Sequence, residues 1–235
     1  MPEKAVKHMM VIKNNRMRCF LRLVIIPLII IMVFLTGKNT FGQHYYLLIS
    51  FVAAFFSLLF FICGFEQKKT GTRRMVIIAV MTSLCIVGRF IPLFKPITAI
   101  TVITAVYLGA ESGFLVGSLS ALLSNFYFGQ GPWTPFQMLA FGIIGLIAGI
   151  FSKQLKNKYL LLIYGIAAGI AYSLIMDIWT VLWYNRGFDL ILYKAAVLTA
   201  VPHIISYSLS NFLFLWFVAK PFGDKLERVK IKYGV

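Results

Sequence analysis

Acidic residues are scarce in this chain. Seven Asp and Glu stand against 23 Lys and Arg in 235 residues, a formal net charge of +16. Cysteine is scarcer, with only Cys19, Cys63 and Cys85. They are widely spaced and odd in number, which excludes a disulfide framework or a CxxC metal knuckle and leaves them as small apolar packing residues. Phosphate-binding and hydrolytic signatures are missing as well. No GxxxxGK(S/T) cradle occurs, so the chain cannot by itself couple work to ATP in the usual way. HExxH, GxSxG and paired catalytic carboxylates do not occur either. No resident cofactor, no metal and no catalytic role are therefore expected of the chain.

What is abundant is apolar sequence. Hydrophobic residues make up 60% and mean hydropathy is +0.86, outside the range of soluble globular domains. Apolar windows of about 17 residues or more recur and predict membrane-spanning helices. Eight candidate spans can be placed, at 20–36, 44–65, 75–94, 97–108, 112–128, 135–151, 158–184 and 192–218. The fourth is short for a hydrocarbon core of ~30 Å, so it must be tilted, broken or shielded by neighbours. The fold class expected is an all-α polytopic membrane protein.

The positive charge is not a nucleic-acid footprint, because it sits in short clusters between apolar runs. On one side of the membrane fall Lys4, Lys7, Lys13, Arg16, Arg18 and Arg22, then Lys68, Lys69, Arg73 and Arg74, then Lys153, Lys156 and Lys158, and finally Lys220, Lys225, Arg228, Lys230 and Lys232. The other side holds only Lys38, Arg89, Lys95, Arg186 and Lys194. This asymmetry predicts a multi-pass protein of the cell membrane with both termini in the cytoplasm. The basic start before Leu23–Leu35 reads as a retained helix, since no small-residue cleavage site follows.

Small residues recur at every fourth position: Gly109, Gly113 and Gly117, then Gly145 and Gly149, then Gly165 and Gly169. That spacing lets helix backbones approach closely in a membrane. Ala79 and Ser83 form a similar pair, available for intramolecular packing or for another protein. Amide and ionisable side chains inside spans mark candidate function. Asn125, Gln137, Asp177 and His203 fall at similar depth on four different helices, while Asn211 lies deeper and suits a helix contact. The stretch FGQGPWTPFQ joins two spans with a backbone fixed by glycine and proline. It offers Gln130 as an amide and Trp133 as a flat surface. Tyr127, Trp179, Trp183 and Tyr184 crowd the same depth, facing either a ligand or lipid headgroups. Structural hydrogen bonding between helices accounts equally well for Asp177 and His203.

From Met75 to Val218 the chain resembles the substrate-binding S components of energy-coupling factor (ECF) vitamin transporters. The resemblance is carried by LGAESGFLVGSLSALLSNF (108–126) and GPWTPFQMLAFGIIGLIAGI (131–150), with RRMVIIAVMTSLCIVGRF (73–90) matching the first core helix. It implies a six-helix binding core at 73–219, preceded by a basic N-terminus with two extra spans at 1–72 and followed by a basic cytoplasmic tail at 220–235. It further implies partnership with a transmembrane coupling subunit and two ATPase subunits, in contact with membrane lipid and without nucleic acid. The AxxxA docking pattern of the first core helix stands here as Ala79 and Ser83. A vitamin would enter from outside and contact Arg89, Phe94, Asn125, Tyr127, Gln130, Trp133, Gln137, Asp177, Trp179 and His203. The text is nearest in character to the cobalamin group, and the rival readings are a polytopic enzyme using Asp177 and His203 and an S component for a different vitamin or micronutrient.

Overall fold

The computed structural model describes residues 72–91, 95–185 and 187–233. The two N-terminal spans and Phe94 lie outside the described residues. Within them, the element order is α1 (Thr72–Gly88), α2 (Ile97–Leu108), α3 (Ala110–Phe128), α4 (Thr134–Ile150), a 3-10 turn (Gln154–Lys156), α5 (Lys158–Asn185) and α6 (Leu190–Tyr233). These helices coincide with the last six spans expected from hydropathy, and no strand occurs among the described residues.

The short α2 is shielded by its neighbours. Eleven of its twelve residues are buried. It spans about 18 Å, and neighbouring helices cover it instead of lipid. Gly109 follows at φ +95°, a backbone region open to glycine, and turns the chain directly into α3. The freed carbonyl at the end of α2 is met from α1. The Arg74 guanidinium donates to the Leu108 carbonyl at 2.7 Å and to Ser112 Oγ at 2.8 Å. A residue that reads as a topology charge is thus a buried helix cap.

The densest packing is between α3 and α4. A Cβ added at Gly113 would stand 2.8 Å from the Gly145 carbonyl oxygen, and one at Gly117 would stand 2.5 Å from that of Phe141. Here the spacing of glycines brings backbone against backbone. On α5, Gly165 leaves room for the Leu215 side chain of α6, and Gly169 for Ser208. Asn211 Nδ2 crosses to the Gly165 carbonyl at 3.1 Å, so Asn211 does hold a helix contact.

α1 is expected to run to residue 94 but stops at Gly88. Pro96 packs on that glycine where a Cβ would stand, and Arg89, Phe90 and Ile91 close tight turns onto Cys85, Val87 and Gly88. The other end of the molecule differs from expectation too. Residues 220–233 continue α6 as helix, and the 44-residue rod is about 66 Å long, twice a hydrocarbon core of ~30 Å. Its extension is fastened by Lys156–Glu227 at 3.2 Å and by Lys230 Nζ donating to the Tyr107 carbonyl at 3.2 Å.

The Ala79–Ser83 face of α1 is exposed among the described residues, flanked by exposed Val76, Val80 and Val87. Ser83 Oγ returns its hydrogen bond to the Ala79 carbonyl at 2.9 Å, so the hydroxyl costs the apolar face nothing.

Gly145→Ala should destabilise the protein by about 1–3 kcal/mol, because its methyl group would collide with the Gly113 backbone and crowd the Thr101 methyl. Val87→Ala, on the exposed face, should stay within ~0.5 kcal/mol. Unfolding midpoints in detergent measure both, and equal midpoints would mean that the α3–α4 contact is not close.

Candidate functional site

One end of the bundle is built from the α1–α2 turn, the FGQGPWTPFQ loop and the α5–α6 turn. Its polar chemistry centres on Asn125, which is fully buried near the end of α3. Arg89, just beyond the end of α1, donates through Nη1 to Asn125 Oδ1 at 2.6 Å and to Ser124 Oγ at 2.5 Å. Asn125 Nδ2 donates in turn to Thr134 Oγ1 at 2.9 Å and to Gln137 Oε1 at 2.8 Å. Gln137 Nε2 continues to Tyr172 Oη on α5 at 3.2 Å. The chain of bonds links α1, α3, α4 and α5, and every group in it donates or accepts according to its chemistry. The loop is tied into the same network. Thr134 Oγ1 donates to Gln130 Oε1 at 3.0 Å, and Gln130 Nε2 donates to the Leu122 carbonyl at 2.9 Å.

Beside this network lies a cavity of about 190 Å³. Arg89, Lys95, Gln137 and His203 supply its polar lining, and Ile97, Phe141, Tyr172 and Tyr207 its walls. The aromatic walls form a ladder. Phe141 stacks on Tyr172 with centroids 4.3 Å apart, Tyr172 on Tyr207 at 5.2 Å, and Tyr207 on His203 at 5.5 Å. Tyr207 follows His203 by four residues and so shares its helix face. Partial burial, and then the nearby Arg89 guanidinium, lower the pKa of the Lys95 ammonium in the α1–α2 turn.

The structure divides the expected site residues into groups. Arg89, Gln137 and His203 line the cavity, and Asn125 stands behind them as their anchor. Gln130 braces the loop. Trp133 meets Trp179 edge-on at 5.9 Å, and Trp179 stacks on Trp183 at 5.6 Å, so these tryptophans make a cluster of their own apart from the cavity lining. Tyr127 is exposed and packs at 4.6 Å on Phe90. Asp177 lies outside the lining and forms no ion pair with His203 among the described residues. Lys95, Ile97, Phe141, Tyr172 and Tyr207 line the cavity without having been singled out. Tyr172 and Tyr207 carried a signal, as phenols placed far from either end of an apolar helix, where a polar tip needs a partner.

A family model described as "ECF-type riboflavin transporter, S component" matches residues 69–228. The chain belongs to this family. It is accordingly a membrane protein, in keeping with α5 and α6, which are long and apolar enough to cross a bilayer. Among curated proteins, a UPF0397 protein of Vibrio atlanticus (strain LGP32) is 29% identical over 97 residues, covering 37% of this chain and 53% of the relative. A UPF0397 protein of Aliivibrio fischeri (strain MJ11) is 31% identical over 97 residues, covering 37% and 52%. The chain thus spans about half the length of the curated relatives it matches. No solved structure matches it.

Asn125→Ala would leave the Arg89 charge and the Gln137 amide without their shared partner. A loss of about 2–3 kcal/mol is expected, as for a buried hydrogen bond to a charged group. Thermal unfolding of the variant beside Tyr127→Ala, where the side chain is exposed, provides the check. An Asn125→Ala midpoint no lower than that of Tyr127→Ala would remove Asn125 from the centre of the site.

Proposed function

We propose that this chain is the non-catalytic, substrate-binding subunit of an ECF-type importer, and that its ligand is a vitamin with a flat aromatic ring, riboflavin first. The observation that carries the reading is the aromatic-walled cavity at one end of the bundle, beside a hydrogen-bonded polar network, in a chain of the S-component family. Aromatic rings lining a cavity offer a planar ring system face or edge contacts. A volume of about 190 Å³ falls below the ~300–1,000 Å³ typical of ligand pockets, which argues for a compact ring over the corrin macrocycle of cobalamin. The separation of Asp177 from the lining favours binding over acid–base catalysis by an Asp177–His203 pair.

In this reading the basic clusters are cytoplasmic and the cavity opens to the outside. The unpacked Ala79–Ser83 face meets the transmembrane coupling subunit, and two ATPase subunits supply the energy that this chain has no motif to harvest. Small side chains there permit close helix approach, and the exposed valines around them are apolar surface left for a helix to cover.

Titration of the purified full-length chain with a vitamin panel tests the ligand, and co-purification with the coupling subunit and ATPases tests the assembly. Tyr172→Leu should weaken riboflavin binding about 10- to 100-fold by removing the central ring of the ladder. Ala79→Trp should abolish uptake while leaving the dissociation constant within about twofold. Failure to bind any vitamin, or a chain that never associates with ATPases, would overturn the proposal.

A further inference from the structure

The cavity is unbalanced in charge. Arg89 enters it from the end of α1 and Lys95 from the α1–α2 turn, His203 on α6 adds an imidazole, and none of the residues lining it is an Asp or Glu. They are electrostatic neighbours, since Arg89 acts on Lys95 and Lys95 acts on His203. The nearest acid, Asp177, acts on His203 from outside the lining. Arg89 is held by Ser124, Asn125 and the face of the Phe128 ring, none of which is an anion. Among the described residues Lys95 has no ion-pair partner.

Like charges held around one small space repel, and a low-dielectric surround strengthens the repulsion. An anion entering the space removes that cost and gains from every cation at once. The neutral lining is also suited to an anion. Tyr172 Oη already accepts a hydrogen bond from Gln137, which leaves its own proton to donate, and Gln137 Nε2 retains a second proton. Donors therefore converge on the cavity from four helices and a turn, and no carboxylate competes for them.

From this arrangement we infer that the cavity holds an oxyanion of its ligand, a phosphate or a carboxylate, so that the transported molecule is an acid-bearing form of the vitamin and not a neutral one. The inference rests on the substrate-binding reading above and narrows it, since riboflavin itself carries no such group while its 5′-phosphate does.

Two measurements on the full-length chain in lipid-free detergent test it separately from that reading. In the first, dissociation constants are determined for riboflavin and riboflavin 5′-phosphate. The phosphate ester should bind about tenfold more tightly, the equivalent of one charge-assisted contact. The ratio should fall toward one in Lys95→Gln and persist in Lys225→Gln, an equal charge change on an exposed residue near the far end of α6. In the second, no flavin is present, and thermal midpoints are compared in inorganic phosphate and in chloride at matched ionic strength. Phosphate should raise the midpoint of the parent by about 2–4 °C and leave those of Lys95→Gln and His203→Gln unmoved. Equal affinity for the two flavins, or no phosphate shift dependent on Lys95 and His203, would overturn the inference. If neither flavin binds but the phosphate shift depends on both residues, the riboflavin assignment fails and the oxyanion site stands. Because no lipid is present, a shift in soluble phosphate also separates this site from adventitious headgroup binding.

Discussion

The contact of α3 with α4 is the constraint on which the rest of the molecule depends. With Gly113 opposite Gly145 and Gly117 opposite the Phe141 carbonyl, two backbones meet with almost no side chain between them. Lipid tails are as apolar as leucine, so burial alone gives helices little reason to associate in a bilayer, and close van der Waals contact must supply it. The pair fixes the ends of both helices, and with them the loop that joins Phe128 to Thr134. Asn125 and Gln137 can bond across that loop only because their helices are already held in register.

From this frame the polar network follows. A buried asparagine in an apolar surround would cost several kcal/mol if left unpaired. Here Asn125 accepts from a cation and donates to two oxygens, so its burial holds Arg89 in one orientation. Arg89 belongs to the turn after α1, which Gly88 and Pro96 bend sharply. The site is thereby assembled from a helix end, a turn and three helix faces by groups that each satisfy another.

Much of the fold was legible because hydropathy reads burial directly. The spans beginning near 97, 112, 135 and 158 match helices to within a few residues, and the shortness of 97–108 already implied that neighbours cover it. The glycine series predicted the close faces. Two features escaped. The stop of α1 at Gly88 depends on a proline eight residues later packing on that glycine, which is a tertiary fact. The helical continuation past Lys220 is written in polar sequence, where charge suggests a tail and only Ala219, Gly223 and Leu226 mark a buried edge. In the site, residues of costly chemistry stood out, and Asn125, Gln137 and His203 do meet around one end with Arg89, while Asp177 stays outside the cavity lining. Phe141, Tyr172 and Tyr207 did not stand out, because a ring in an apolar helix looks the same whether it faces lipid, core or cavity. Trp133 was conspicuous for its neighbours in sequence, whereas its ring turns back over Gly131 toward Trp179.

The two ends of the bundle are held by different physics. At the cavity end the bonds are mostly part-buried and gather on the fully buried Asn125. At the other end α6 is fastened by Lys156 with Glu227, both about half exposed, and by Lys230 on the Tyr107 carbonyl. Exposed pairs of this kind contribute only ~0–1 kcal/mol each, and dissolved salt screens them with a Debye length of about 8 Å at physiological ionic strength. Gly223 and Leu226 are buried against the bundle beside these pairs, so the ionic part of the hold on the α6 extension varies with dissolved salt and its apolar part does not. The site, about 30–40 Å along the same helix, includes none of these exposed pairs.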